Sequence, residues 1–148
     1  MDAFMAAALE EAAEGKAEGG IPSGAVLVYG RRVIAGGRNR RVQRGSVILH
    51  AELDALENAG RLSPAIYRAS TLYTTLAPCA MCSGAIMLYG ISHVVIGQNL
   101  SFKGEVELLK SRGITVEVLQ DSRCIMLMME FIAENPKLWF ENIGMDVP

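Results

Sequence analysis

The sequence predicts an α/β fold in which helices cover both faces of a mixed sheet. An early hairpin, "GAVLVYG" followed by "RRVIAGG", turns at Gly30-Arg31. Strands and helices then alternate, which is typical of parallel strands joined by helices. The strand "HVVIG" is an apolar run, as expected for a strand that is covered on both faces.

The elements follow one another without repeats or linkers. Residues 2–17, rich in Ala and Glu, predict a helix that ends at Gly19-Gly20. The hairpin comes next, followed by an arginine-rich loop, "GRNRRVQR". The later predicted elements are a helix over 50–59 that Gly60 ends, a strand "STLYTTL", a helix from Pro78 to Gly90, the strand "HVVIG", a helix near 103–112, a strand "ITVEVL", a helix over 121–134 and a short terminal element, "KLWFENIG". A chain of 148 residues suits one domain of this kind.

Composition argues against several classes of protein. The chain is 51% hydrophobic and 20% charged, as an ordinary globular protein is, and its net charge of −2 gives no general attraction to nucleic acids or anionic membranes. No apolar run approaches the roughly 18 residues of a membrane span. The N-terminus lacks the basic segment of a secretory signal, and three cysteines cannot all pair within one chain. We therefore expect a cytoplasmic protein that does not bind membranes.

Scarce ligand residues form a candidate metal site. Cys79 and Cys82 follow Pro78, which suits the first turn of a helix, so both sulfurs can face one ion. The helix dipole favours thiolates there. His50 opens the helix predicted over 50–59. One nitrogen and two sulfurs suit a single Zn²⁺, and three protein ligands leave a fourth position for water, as in catalytic zinc sites.

Glu52 indicates what such a site would do. It stands two residues after His50 and points away from the ligand face, so we do not expect it to bind the same ion. A glutamate beside water activated by zinc can take a proton and deliver it elsewhere. H-x-E followed by P-C-x-x-C is the signature of zinc deaminases of nucleobases, and it is present here as "HAE" at 50–52 and "PCAMC" at 78–82.

Through these motifs the chain resembles the cytidine deaminase-like superfamily, and within it the small fungal-type cytosine deaminases. The segments that carry the resemblance are "HAELDALENAGRL", "STLYTTLAPCAMCSGAIMLYGI" and "PKLWFENIG". The tail "WFE-x-IG" separates it from tRNA adenosine deaminases, which share the zinc motifs. The resemblance implies a three-layer α/β/α sandwich with a five-stranded mixed sheet. It also implies a single zinc-dependent deaminase domain over 1–148 and a homodimer that acts in pyrimidine salvage.

The resemblance also assigns site residues. It implies that His50, Cys79 and Cys82 hold the zinc ion and that Glu52 shuttles protons. The residues that it places against a small heterocyclic amine are Asn39 and the backbone of Ala51 at the polar edge, the carbonyl of Ala77 at the departing amine, and Phe102 and Trp139 around the ring. Without the resemblance, the sequence favours Phe102 and Trp139 as ordinary core residues.

Three residues depart from the family pattern. Asn142 stands where the family has an acid that accepts from the substrate's amino group, whereas an amide can also donate and so read a carbonyl. Ser23 stands where the fungal enzymes have an apolar side chain against the ring. Val42 replaces an aromatic residue in the loop after Asn39. The expected reaction is hydrolysis of cytosine to uracil and ammonia. Isocytosine, guanine or creatinine is the alternative that Asn142 and Ser23 raise, because unpaired buried polar groups alter which ring is accepted.

Two other functions stay open from sequence. In nucleic-acid editing, the loop from Arg38 to Arg44 would bind a phosphate backbone, although the acidic net charge and the tail argue against it. In a non-catalytic zinc module, the metal would only join two helix starts. Glu52 argues against such a module, because a structural site needs no acid beside it.

Overall fold

The chain folds as three layers, with helices on both faces of a five-stranded mixed sheet, as predicted. The computed structural model describes residues 2–148. The strands are β1 (Gly24–Tyr29), β2 (Arg32–Arg38), β3 (Thr71–Thr74), β4 (His93–Ile96) and β5 (Thr115–Val118). The helices are α1 (Ala3–Ala17), α2 (Arg41–Arg44), α3 (Ala51–Ala59), α4 (Pro64–Arg68), α5 (Ala80–Leu88), α6 (Val106–Ser111), α7 (Ser122–Glu134) and α8 (Pro136–Asn142). Within residues 2–148, no helix has the length and apolar character needed to cross a bilayer.

The sheet runs in the order β2-β1-β3-β4-β5. β1 is antiparallel to β2 and to β3, whereas β3, β4 and β5 are parallel to one another. At the hairpin turn, Gly30 and Arg31 both have left-handed backbones, with φ of 58° and 62°. This conformation matches the twist of the flanking strands, so the predicted two-residue turn is confirmed.

Alternate residues of the strands face the two helical layers. Leu27 and Val94 pack in the core beneath α3, α4, α5 and α6. Their neighbours Val26 and Val95 pack on the opposite face, against α1 and α7. A third buried cluster joins the C-terminal helices to one end of the central strands β1 and β3 and comprises Ile21, Leu76, Met128, Phe131 and Trp139. The alternation explains why β4 is apolar throughout, since both of its faces are covered.

α3 lies close against β2 because Gly37 has no side chain. A Cβ atom at this position would overlap backbone atoms of Ala51 and Ala55, and both of these alanines are fully buried. At the far end of the helix, the Asn58 side-chain amide donates to the carbonyl of Gly36 at 2.7 Å. The first turn of α3 is therefore held at a short, fixed distance from the sheet.

Three features of the elements correct the sequence-based expectations. α5 begins at Ala80, so Pro78 precedes the helix instead of forming its first turn. Cys79 is the N-cap, and its sulfur accepts from the backbone N–H of Cys82 at 3.5 Å. The arginine-rich loop contains α2, which ends at a left-handed Gly45. α2 and α4 were not predicted, because helices of four and five residues are too short to show a hydrophobic period.

Candidate active site

Two helix starts meet on one side of the sheet and bring the predicted metal ligands together. His50 is the N-cap of α3, and Cys79 is the N-cap of α5. The Cys79 sulfur lies 3.5 Å from Nδ1 of His50. The ligand atoms of His50, Cys79 and Cys82 all lie within 4.8 Å of one another, and among residues 2–148 these three form the group that could hold a metal ion.

Local backbone geometry explains why these side chains converge. His50 and Cys79 are both extended, with ψ of 164° and 175°, while their carbonyls already accept the first helical hydrogen bonds. The His50 carbonyl accepts from Asp54 at 2.9 Å, and the Cys79 carbonyl accepts from Ser83 at 2.8 Å. The Cys79 side chain also accepts from the free N–H of Cys82 in the first turn, where the helix dipole favours negative charge, whereas the His50 side chain makes no such capping bond.

The two cysteines differ in their protonation. A hydrogen bond from the Cys82 thiol, opposed by burial and assisted by His50, lowers the pKa of Cys79 to about 4. The pKa of Cys82 is raised, because this thiol donates to Cys79 and is buried beside Glu52. The lowered pKa favours the thiolate expected at this helix start at Cys79, whereas Cys82 has to release its proton to become a ligand.

The donor set suits zinc. Thiolate sulfur and imidazole nitrogen are ligands that Zn²⁺ prefers, and a structural zinc site is usually closed by four of them. Here the described chain offers three such atoms, and two of the ligand residues, His50 and Cys79, border a pocket. Three ligand atoms beside a pocket suit a catalytic zinc site better than a structural one.

Glu52 lies in the same pocket, in the first turn of α3. Its side chain is only 4% exposed, and burial raises the pKa of its carboxyl against the opposing charge of His50. A raised pKa brings a carboxyl closer to neutral pH, where it can both accept and donate a proton. The position suits proton transfer beside the metal ligands.

A small pocket opens over these groups. The predicted site residues that line it are Ser23, Asn39, His50, Glu52, Ala77, Cys79, Phe102 and Asn142. Ala51 and Cys82 are fully buried and do not contribute to this lining. The apolar walls Ile21, Leu76 and Ile143 were missed from sequence, because isolated apolar residues near element ends carry no chemical signal.

Trp139 supports the pocket from behind. It is 3% exposed and lies outside the lining formed by residues 2–148, with its ring edge-on to Phe102 at a centroid distance of 6.2 Å. The loop before Phe102 is held by the buried side chain of Gln98, whose Oε1 accepts from the N–H groups of Leu100 and Ser101 at 2.8 and 3.0 Å. The role of Gln98 could not be predicted from sequence, because its amide contacts form only in the folded loop.

Two buried amides form a polar edge of the pocket. Oδ1 of Asn39 accepts from the N–H of Arg41 at 3.0 Å, so its Nδ2 is free to donate to Oδ1 of Asn142 at 2.9 Å. The oxygen of Asn142 thereby already accepts one hydrogen bond, and no hydrogen bond within residues 2–148 uses its NH₂ group. The sequence left open whether Asn142 accepts or donates, and this pairing leaves it a donor for a ligand. Val42 lies on α2, 42% exposed and outside the described lining.

Comparisons with known proteins agree with this geometry. The model of the cytidine and deoxycytidylate deaminase zinc-binding region matches residues 1–98. A cytosine deaminase from Candida albicans is 49% identical over 138 residues, which cover 93% of this chain and 92% of that protein. A tRNA-specific adenosine deaminase from Streptococcus pyogenes serotype M1 is 36% identical over 122 residues, or 81% of this chain and 67% of that one. A solved guanine deaminase from Nitrosomonas europaea superposes with a TM-score of 0.71 at 28% identity, covering 88% of this chain and 84% of its own.

Proposed function

The chain belongs to the zinc-binding cytidine and deoxycytidylate deaminase family, and from this premise we propose that it hydrolyses cytosine to uracil and ammonia. It is a zinc-dependent hydrolase of the nucleobase deaminase type. The observation that carries the proposal is that Glu52 shares one pocket with the metal ligands and the amide edge. The proposal includes a single domain over 1–148, a cytoplasmic location and a role in pyrimidine salvage.

In this proposal His50, Cys79 and Cys82 hold the zinc ion, which when bound supplies a Lewis acid that makes water nucleophilic at neutral pH. Glu52 accepts a proton from the attacking water and delivers it to the ring nitrogen beside the amine-bearing carbon. It then carries the second proton of that water to the amine. The C–O bond forms, the C–N bond breaks, and the oxygen remains as the carbonyl while ammonia leaves.

The remaining pocket residues orient the ring. Asn39 holds its polar edge, and the carbonyl of Ala77 accepts from the departing amine. Ala51, which the resemblance also placed at this edge, is buried behind the pocket lining of residues 2–148 and is given no contact with the ring. Phe102 covers the ring face, and Trp139 keeps Phe102 in place through their edge-on contact. Because Asn39 and Asn142 are buried amides that already bond each other, they are pre-organised to recognise a substrate without reorganisation.

The substrate is tested by ammonia release from cytosine, isocytosine, guanine and creatinine, with Asn142→Asp beside the parent. The substituted carboxylate would keep the acceptor for Asn39 but replace the NH₂ donor with an oxygen that accepts from an amino group. We expect the substitution to shift the kcat/KM ratio by about tenfold or more toward cytosine, because a mismatched buried polar pair is costly.

Ser23→Ile is the companion variant, because it restores an apolar wall without touching the amide pair. It is expected to shift preference in the same direction by a smaller factor. Unchanged preference in both variants would show that these departures do not set specificity. A parent enzyme that releases no ammonia from cytosine would refute the proposed function.

The homodimer of this proposal would use an apolar face of α3, α4 and α5. Ile48, Leu88 and Tyr89 line a broad groove there and are 52%, 75% and 51% exposed. Exposed apolar patches of this kind mark protein interaction sites, and a second copy of the chain is the partner that the family resemblance implies.

Leu88→Glu is expected to convert the dimer to monomers, because the interface would have to bury an unpaired charge. Sedimentation velocity at micromolar concentration measures the change. Met126→Glu is the matched control, since Met126 is an exposed apolar residue of α7 in the opposite helical layer, and it should stay dimeric. A dimeric Leu88→Glu protein would rule out this face.

The proposal assigns no nucleic-acid partner. Three arginines of the basic loop are already engaged inside the chain, in the ion pairs Arg38–Glu11 at 3.1 Å, Arg40–Asp54 at 2.9 Å and Arg41–Glu141 at 3.2 Å. Binding of a nucleic acid needs unpaired arginines and lysines, which neutralise its phosphates and so release the counterions bound to them. These internal pairs support a small-molecule substrate over a polynucleotide.

A further inference from the structure

We propose that Asp54 is a positioning residue that holds the substrate-binding Asn39 in place through the residues on either side of it. The inference rests on the proposed function only in taking Asn39 as a substrate contact. Asp54 lies outside the pocket lining formed by residues 2–148, so it acts through Asn39 and does not touch the ring.

Asp54 contacts both neighbours of Asn39. Its Oδ2 accepts from the backbone N–H of Arg38 at 3.0 Å and from Nε of Arg40 at 2.9 Å. Asp54 is 1% exposed, and Asn39 between these two anchors is equally buried. One carboxylate therefore spans the chain on both sides of Asn39.

The same helix turn carries the metal ligand and the proton carrier. Asp54 lies in the first turn of α3, and its backbone N–H donates to the carbonyl of His50 at 2.9 Å. Glu52 is two residues away on this turn. Asp54 thus ties the polar edge of the pocket directly to the turn that holds His50 and Glu52, and a misplacement of about 1 Å between such groups can cost roughly a hundredfold in rate.

A contribution to folding stability does not explain well why Asp54 is buried at this position. Replacing a buried ion pair by apolar residues of similar volume is often neutral or stabilising. The second oxygen of Asp54, Oδ1, is buried and finds no hydrogen-bond partner among residues 2–148, which adds a further cost. Both hydrogen bonds that the Asp54 carboxylate accepts come from the neighbours of Asn39 in the chain. We therefore infer that they fix the position of Asn39.

The direct test is hydrogen exchange of the Asn39 side-chain NH₂ group by NMR in the zinc-loaded protein without substrate. Asp54→Asn removes the charge that holds Arg40, and Arg40→Gln breaks the same contact from the more exposed side. Either change should speed exchange at this amide by about tenfold, since one supporting hydrogen bond is lost. Asp121→Asn is the control, because it removes an ion-paired N-cap acid on α7.

Kinetics supplies a second readout. Asp54→Asn should lower kcat/KM for cytosine by roughly tenfold to a hundredfold with zinc content unchanged. In an Asn39→Ala background the same change should have no further effect, because the side chain that it positions is gone. Equal losses in both backgrounds, or an unchanged exchange rate in both single variants, would overturn the inference. If the parent enzyme did not act on cytosine, the proposed function would fail while the exchange measurement still decided the role of Asp54.

Discussion

Glu52→Gln is expected to reduce the turnover of cytosine by about a thousandfold or more while the protein keeps its zinc. Glutamine has nearly the same shape as glutamate but cannot carry a proton between the water, the ring nitrogen and the amine. General acid–base catalysis by a positioned side chain contributes roughly 10²–10⁴-fold, and here one carboxyl serves two transfers. Turnover is measured as ammonia release, and metal content by elemental analysis of the same sample.

The metal measurement distinguishes lost chemistry from a lost site. Glu52 is not among the three metal ligands, although it is buried next to them, so its amide variant should bind zinc in full. Glu10→Gln is the matched control, because Glu10 is an exposed glutamate of α1 that lies outside the lining of both the small pocket and the groove. Wild-type turnover by a zinc-loaded Glu52→Gln enzyme would disprove the mechanism.

Cys82→Ala is expected to abolish both zinc binding and activity. Cys82 is fully buried and supplies one of the three ligand atoms, so its removal leaves two ligands, too few to retain the ion. A ligand that binds only the folded state raises the melting temperature, so chelation should lower that of the parent protein. The variant should melt at the same temperature with and without added zinc.

Cys124→Ala gives the control for removing a buried thiol. Cys124 is 3% exposed and packs between α7 and the sheet, where burial raises the pKa of its thiol to about 12. A thiol of this kind is chemically inert. The variant is expected to lose some stability to a small cavity but to keep its zinc and its activity. Zinc retained by Cys82→Ala and lost by Cys124→Ala would contradict the ligand assignment.

The order and type of the main elements could be predicted from sequence because their signals are local. Alternation of apolar residues, glycines after helices and the two-residue turn at Gly30-Arg31 each depend on neighbours along the chain. The short helices α2 and α4 gave no such signal. The start of α5 was misplaced because Cys79, which is not a usual capping residue, serves as its N-cap.

The candidate metal ligands could also be picked out from sequence, because His50, Cys79 and Cys82 are rare side chains whose spacing has few other uses, and the fold brings them together. The direction of hydrogen bonding at Asn142 could not be predicted. It depends on Asn39, which is 103 residues earlier, and Asn39 is in turn oriented by the N–H of Arg41. An amide can accept or donate, and only its partners in the folded chain decide which.

Sequence by itself thus determined the type of reaction, because the chemistry of a histidine, two cysteines and a glutamate at this spacing depends on residue type and local spacing. Folding decided which groups line the pocket. It moved Trp139 behind Phe102 and paired Asn39 with Asn142. It also set Asp54 against both neighbours of Asn39. These contacts join residues that are distant in sequence or lie on different elements, so no local pattern could reveal them.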